Sequence, residues 1–176
     1  MRIVEVGPRD GLQNETATVP TAVKIAFVDA LSRSGVGEIE VSAFVSPRWV
    51  PQLSDAADVL QGINRRRGVV YSVLVPNMKG LEPALAAHVD KVSVFTAASE
   101  TFNRKNINTS IAGSIKRIQP VVSAAHEAGL PVRGYVSTAF WCAFEGKIAP
   151  DAVSAVVDRL VEIGIDEIAI SDTIGK

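Results

Sequence analysis

Short runs rich in β-branched residues alternate along the chain with longer segments whose apolar residues recur every three or four positions. This alternation predicts strands that are each followed by a helix. The six predicted strands begin near Ile3, Ile39, Val69, Lys91, Val132 and Glu167. The predicted helices cover Thr21–Ser34, Asp55–Asn64, Ser110–Ala128 and Pro150–Ile163, and Gly35, Gly129 and Gly164 are typical helix stops.

The apolar character of the strands indicates a parallel sheet. Val92–Phe95 and Ile168–Ile170 are apolar enough to be covered on both faces, as parallel strands under helices are. An α/β protein of this kind is either a doubly wound open sheet or a closed barrel. The strand starts lie about 33 residues apart, and eight such units approach the ~250 residues of a TIM (β/α)8 barrel. We therefore expect residues 1–176 to be the N-terminal part of one barrel domain, with about six of eight units and the last strands missing.

Composition excludes several classes of protein. Eighteen basic and nineteen acidic residues give a net charge of -1, so no nucleic-acid partner is indicated. No apolar run reaches the ~20 residues of a membrane span, and we expect no signal peptide, because Met1 leads almost directly into the first predicted strand. The single cysteine, Cys142, rules out an internal disulfide and agrees with a cytoplasmic protein.

Parallel sheets bind ligands at the carboxyl ends of their strands. Charged residues lie in or directly after three of the predicted strands. Arg9 and Asp10 follow the first strand, Glu40 lies in the second, and Asp172 follows the sixth. Asp10 could hold a divalent cation, and the permanent charge of Arg9 could stabilise a developing oxyanion. Alternatively, the Arg-Asp-Gly sequence is an ordinary turn and Glu40 is half of a buried ion pair.

The other residues that could form a functional site are weaker candidates. His88 and His126 lie near the C-terminal ends of predicted helices, where a cationic imidazole interacts well with the helix dipole. Cys142 has aromatic neighbours, which favours a packing role over a nucleophile. The cluster Arg65–Arg67 is typical of a solvated loop, and no dinucleotide-binding glycine pattern occurs.

Longer blocks of the chain resemble the 3-hydroxy-3-methylglutaryl-CoA lyases. The blocks are VEVGPRDGLQNE (4–15), FVSPRWVPQ (44–52), PNMKG (76–80), AASE (97–100), KNIN (105–108), VRGYVS (132–137) and SDTIG (171–175). The short Arg-Asp-Gly-x-Gln core is shared with a wider group of metal-dependent barrels that includes isopropylmalate and homocitrate synthases. The longer blocks favour the lyase family over that wider group.

The resemblance implies a metal-dependent carbon–carbon lyase that converts 3-hydroxy-3-methylglutaryl-CoA to acetoacetate and acetyl-CoA, in leucine degradation or ketone-body formation. By motif, Arg9 would stabilise the enolate oxygen and Asp10 would bind magnesium or manganese. Glu40 would orient the site and Asp172 would carry a proton. The residues placed near the acyl-CoA substrate are Gln13, Asn106 and Ser110, together with Arg9.

The chain departs from the family pattern in its metal ligands. The family also uses a His-x-His pair, an asparagine and a catalytic cysteine in a later loop, and none of these occurs here. We therefore expect the chain as given to bind metal poorly and to turn over little. Two alternatives stay open: a related acyl-CoA aldol- or Claisen-type lyase or synthase, and a non-catalytic assembly module completed by a second chain. A homo-oligomer is also compatible with the sequence.

Overall fold

The computed structural model describes residues 3–176, which form two compact units. The first unit ends at Val92 and the second begins at Ser93. The strands are β1 (Val4–Glu5), β2 (Glu38–Ala43), β3 (Val70–Leu74), β4 (Lys91–Ala97), β5 (Val132–Ser137), β6 (Trp141–Cys142), β7 (Gly146–Lys147) and β8 (Glu167–Ile170). The α-helices are α1 (Thr21–Ser32), α2 (Ala56–Gly62), α3 (Met78–Ala86), α4 (Glu100–Ile107), α5 (Ile111–Glu127) and α6 (Pro150–Glu162). A π-helix covers Gly7–Gly11 and a 3-10 helix covers Pro51–Leu53.

The first unit is a parallel sheet with a helix between successive strands. β1 pairs with β2, with Val4 opposite Glu38, and β2 pairs with β3, with Glu38 opposite Val70. Every residue of β2 is buried, as expected for a strand covered on both faces. Because the strands are parallel, the π-helix after β1 lies at the sheet edge where β2 also ends.

The second unit repeats the strand and helix alternation. β5 and β8 are parallel from Arg133 opposite Glu167 to Val136 opposite Ile170, with α6 as the connection between them. Two helices, α4 and α5, separate β4 from β5. Between β5 and α6, the strands β6 and β7 form a small antiparallel hairpin.

The predicted elements are largely confirmed. All six predicted strands exist and begin within one residue of their expected positions, and all four predicted helices exist. The three predicted stop glycines adopt positive φ angles of 93°, 76° and 90° at Gly35, Gly129 and Gly164. Sequence reasoning missed α3, α4 and the β6–β7 hairpin. Gly80 and Pro83 lie within α3 and are poor helix formers, which hid that helix, and α4 buries only Asn103, so it has no clear apolar stripe.

The expectation that β8 is covered on both faces was wrong. Its residues are half-buried, and Ile170 is 44% exposed. Among the described residues, Ser171–Lys176 are those that follow β8, and they form a loop, so the exposure of β8 is a property of this part of the chain. By contrast, Val92 and Val94 in β4 are fully buried, as predicted.

Within residues 3–176, every helix is too short or too polar to cross a membrane.

Candidate functional site

The backbone after β1 folds into a tight turn that presents Arg9 and Asp10. The carbonyl oxygen of Val6 accepts hydrogen bonds from Arg9 N at 3.1 Å and from Asp10 N at 2.7 Å. Glu5 Oε1 accepts a further bond from Gly7 N at 2.7 Å. A Cβ atom at Gly7 would lie only 2.8 Å from that carboxylate oxygen, so a larger residue there would displace the Glu5 carboxylate from the turn. Single turns of π-helix occur frequently at functional sites.

Arg9 is held between two carboxylates. Its Nε donates to Glu40 Oε1 at 2.5 Å, and its Nη1 donates to Asp10 Oδ1 at 2.6 Å. The Glu40 side chain is fully buried, whereas that of Asp10 is 56% exposed. A buried carboxylate without a partner would cost several kcal/mol, so the guanidinium also stabilises Glu40.

Glu40 is therefore half of a buried ion pair, as the alternative interpretation of the sequence proposed. Its partner in that pair is Arg9, the residue predicted to act in catalysis. The two interpretations are compatible, because a buried carboxylate that fixes a guanidinium is also the arrangement that orients it.

Asp10 offers one oxygen that suits a hard divalent cation. Its Oδ1 accepts from Arg9, and its other carboxylate oxygen accepts no hydrogen bond within residues 3–176. Carboxylate oxygen is a preferred ligand of magnesium and manganese. No group of three histidine, cysteine, aspartate or glutamate side chains in the described part of the chain could hold a metal ion. Asp10 thus fits as one ligand of a site that needs others.

The other predicted site residue of the first unit lies next to Leu12, the C-cap of the π-helix. Gln13 is exposed there. Its neighbour Asn14 donates from Nδ2 to the carbonyl oxygen of Asp10 at 2.8 Å, which closes the turn. The first unit therefore brings Arg9, Asp10 and Glu40 into direct contact and leaves Gln13 open to solvent.

Three predicted residues belong to the second unit. Asn106 is exposed near the end of α4, and Ser110 is the N-cap of α5, where its Oγ accepts from Gly113 N at 3.0 Å. Asn108, between them, adopts a left-handed conformation with φ of 51°. Asp172 is exposed, and its Oδ1 accepts from Gly175 N at 3.0 Å and Lys176 N at 3.4 Å.

The histidines lie where the sequence predicted, at helix ends. His126 occupies the last turn of α5, and its Nε2 lies 2.9 Å from Asp166 Oδ2. Burial acts to raise the pKa of Asp166, but hydrogen bonds from Val132 N and His126 outweigh it and leave the pKa below its ordinary value. His88 directly follows the C-cap of α3 and is exposed.

The remaining weak site candidates are the Arg65–Arg67 cluster and Cys142, and their surroundings suit structural roles. Arg65 donates to Asp90 Oδ1 at 3.4 Å and to the carbonyl oxygen of Ala87 at 3.2 Å, and the Arg65–Arg67 cluster lies in an exposed loop. Cys142 is fully buried, which agrees with a packing role.

Sequence reasoning missed a network that holds the loop following the site. The Gln52 side chain accepts from Val19 N at 3.0 Å and donates to the carbonyl oxygen of Ala17 at 2.9 Å. Lys24 Nζ, almost fully buried, donates to the Gln52 carbonyl oxygen and to Asp55 Oδ1, the latter at 2.7 Å. No local signal reveals these contacts, because about thirty residues separate the partners.

Comparisons with known proteins place the chain in a family. The model of the HMGL-like family matches residues 1–176. The chain is 54% identical to the hydroxymethylglutaryl-CoA lyase, mitochondrial, of Rattus norvegicus, over 99% of this chain and 54% of the relative. It is 53% identical to the 3-hydroxy-3-methylglutaryl-CoA lyase, cytoplasmic, of the same organism, over 99% of this chain and 51% of the relative.

A solved structure is also similar to this chain in both fold and sequence. The HMG-CoA lyase from Brucella melitensis superposes with a TM-score of 0.97 and 52% sequence identity, over 99% of this chain and 62% of that structure. The chain spans about half the length of the curated relatives that it matches.

Fold and sequence therefore define a protein of the TIM (β/α)8-barrel class, which confirms the predicted fold class. The chain belongs to the HMGL-like family. This finding also confirms the resemblance based on the sequence blocks. Members of the family are metal-dependent in general.

Proposed function

We propose that the protein is a hydroxymethylglutaryl-CoA lyase, which cleaves 3-hydroxy-3-methylglutaryl-CoA to acetoacetate and acetyl-CoA. The observation that carries this proposal is the Arg9 guanidinium, fixed against buried Glu40 at the carboxyl end of the parallel strands. Support also comes from relatives with that name at 54% and 53% identity over nearly the whole chain.

The reaction breaks one carbon–carbon bond and moves one proton, in net terms from the C3 hydroxyl to C2. The C3 hydroxyl of the substrate loses its proton, a carbonyl forms at C3, and the C2–C3 bond breaks. The electron pair of that bond passes to the thioester as an enolate, which is protonated at C2 to give acetyl-CoA. The barrier is lowest where a fixed positive charge meets the developing enolate oxygen.

Arg9 is suited to that task because a guanidinium stays protonated and keeps its donors in a rigid plane. Its Nε is engaged by Glu40 and its Nη1 by Asp10, so the orientation of the plane is set before substrate binds. A preoriented charge needs no reorganisation during the reaction. In this proposal Glu40 is the positioning residue and Arg9 is the catalytic one.

A divalent cation, magnesium or manganese, would be held in part by Asp10. When bound, such an ion supplies Lewis acidity, which lowers the pKa of a coordinated hydroxyl. Asp172 is the proposed proton carrier, since its carboxylate is exposed. Gln13, Asn106 and Ser110 are the proposed contacts to the acyl-CoA.

The proposed setting is leucine degradation or ketone-body formation in the cytoplasm. One relative is named cytoplasmic and another mitochondrial, so fractionation of cells with an antibody to this protein would decide the compartment.

The proposal concerns the whole protein, so it is tested by incubating the purified full-length protein, not residues 1–176 alone, with 3-hydroxy-3-methylglutaryl-CoA and Mg²⁺ or Mn²⁺. We expect acetoacetate and acetyl-CoA in equal amounts, and no product when EDTA is present. A panel of other 3-hydroxyacyl-CoA esters runs in parallel, and preferential cleavage of a different ester would reassign the substrate. No cleavage of any ester, together with a stable complex with a second chain in light scattering, would favour the assembly module.

A further inference from the structure

Helix α4, which carries Asn106, buries little apolar surface. Among its eight residues only Asn103 is fully buried, and its Nδ2 donates to Ser114 Oγ of α5 at 3.1 Å. Hydrophobic burial positions most helices in proteins, because it supplies the largest stabilising free energy. The placement of α4 must therefore depend on polar contacts to a larger extent than that of its neighbours.

The strongest of these contacts come from the β6–β7 hairpin, defined as residues 141–147. Glu145 Oε1 accepts a hydrogen bond from Thr101 N, in the first turn of α4, at 2.7 Å. The first amide groups of a helix have no partner within the helix, and the helix dipole favours a negative charge there. Hydrogen bonds to Thr101 hold the pKa of Glu145 below its ordinary value, so the carboxylate is charged at neutral pH.

A second path of contacts runs through the N-cap of the same helix. Ser99 Oγ accepts from Phe102 N at 3.0 Å, and the Ser99 hydroxyl also acts to lower the pKa of Glu145. The thiol of Cys142 donates to Ser99 Oγ at 3.1 Å. Both the cap and the first turn of α4 are thus connected to the hairpin.

The hairpin also contacts the middle of the helix. The Phe144 ring lies 6.4 Å from the Phe102 ring, centroid to centroid. Lys105 Nζ lies 4.5 Å from the centroid of Phe144, within cation–π range. Lys105 immediately precedes Asn106, so the hairpin contacts α4 from its N-cap to the neighbour of the proposed substrate residue.

We propose that Glu145 is a positioning residue for substrate binding: its carboxylate fixes the first turn of α4 and thereby places Asn106 against the acyl-CoA. This inference rests on the proposed function for the role of Asn106. Asn106 sits about one and a half turns along the helix from Thr101, so a rigid-body shift of α4 at its first turn displaces it.

The experiment compares three variants of the purified full-length protein. Glu145→Ala removes the acceptor, Glu145→Gln keeps an acceptor oxygen at the same place, and Glu162→Ala is the matched control. Glu162 is an exposed glutamate in the last turn of α6 without a polar contact in the described residues. We measure KM and kcat for 3-hydroxy-3-methylglutaryl-CoA, and hydrogen exchange of the amides of residues 100–107.

For Glu145→Ala we expect KM to rise about tenfold with kcat within about twofold, because a lost binding contact weakens ground and transition states alike. Amide exchange in α4 is expected to accelerate, and Glu145→Gln is expected to restore most of both values. Glu162→Ala should match the wild type.

Two results would overturn the inference. One is a KM for Glu145→Ala equal to that of Glu162→Ala, and the other is unchanged exchange of the α4 amides. A wild-type protein that cleaves no 3-hydroxy-3-methylglutaryl-CoA would instead overturn the proposed function, and faster α4 exchange in Glu145→Ala would still support the positioning role. Because the Glu145 side chain is exposed, Glu145→Ala is expected to fold, and a thermal denaturation midpoint close to that of Glu162→Ala checks this.

Discussion

Arg9 and Glu40 lie 31 residues apart in the chain, and the Arg9 Nε donates to Glu40 Oε1 at 2.5 Å. The Glu40 side chain is fully buried and that of Arg9 is 12% exposed, so each charge depends on the other for its stabilisation. The Arg9–Glu40 ion pair therefore stabilises the folded chain and also orients the guanidinium at the candidate site.

The Glu40→Ala variant tests the structural side of this pair. Removing Glu40 takes away one of the two carboxylates that compensate the nearly buried Arg9 guanidinium, and we expect the free energy of unfolding to fall by about 3 kcal/mol. Urea denaturation measures it. Glu40→Gln keeps the shape and an acceptor oxygen and is expected to lose less. Equal stability of the wild type and Glu40→Ala would contradict the importance of the pair.

The Arg9→Lys variant tests the catalytic side. Lysine keeps the charge but loses the planar donors that contact Glu40 and Asp10 together. We expect kcat to fall about 100-fold or more, with a smaller change in KM, as for the loss of an oriented donor to an oxyanion. Steady-state kinetics with 3-hydroxy-3-methylglutaryl-CoA provide the values. A kcat within a few-fold of wild type would show that Arg9 supplies charge alone.

The Lys24–Asp55 pair predicts a pH dependence of stability. Burial acts to raise the pKa of Asp55, but hydrogen bonds from Lys24 and Thr21 and the charge of Lys24 together leave it below the ordinary 3.8. The unfolded chain therefore binds the proton more tightly than the folded chain. The stabilisation is present above pH 3.8 and is lost as pH falls through the lower folded pKa.

Denaturation of the wild type and Asp55→Asn between neutral and acidic pH measures this effect. The difference in unfolding free energy between the two proteins should be largest near neutral pH and should shrink in acid. Subtracting one protein from the other removes the contributions of Glu145 and Asp166, whose pKa values are also lowered. A difference that stays constant with pH would exclude Asp55 as the titrating group.

At Gly80, near the start of α3, the structure leaves no room for a side chain. A Cβ atom there would collide with the carbonyl oxygen of Phe44, and backbone cannot move aside as a flexible side chain can. Alanine normally favours a helix over glycine by about 1 kcal/mol, but the collision outweighs that gain. We expect Gly80→Ala to lower the unfolding free energy by about 2 kcal/mol.

The matched control for that variant is Gly37→Ala. A Cβ atom at Gly37 meets nothing within 4 Å, so thermal or urea denaturation should show little change. Equal effects of the two substitutions would show that the Phe44 carbonyl oxygen yields to the added methyl group.

The sequence by itself determined the parallel α/β architecture and the order of its main elements. Apolar periodicity and glycine stops are local properties, which is why β2 and α5 fall where they were predicted. The sequence also placed Arg9 and Asp10 at the carboxyl end of a strand, because a residue after an apolar run in a parallel sheet has that position by geometry, and it placed Glu40 within the next strand. The longer motifs carried the family resemblance.

Tertiary structure alone decided which of these side chains touch. The contacts of Glu40 with Arg9, of Lys24 with Asp55 and of Glu145 with Thr101 join residues 31 to 44 positions apart. Helix α4 escaped prediction for a related reason: its sequence lacks an apolar stripe, and the hairpin that contacts its first turn comes later in the chain. Partner choice among buried polar groups depends on the packed arrangement of distant segments, and no local pattern encodes that arrangement.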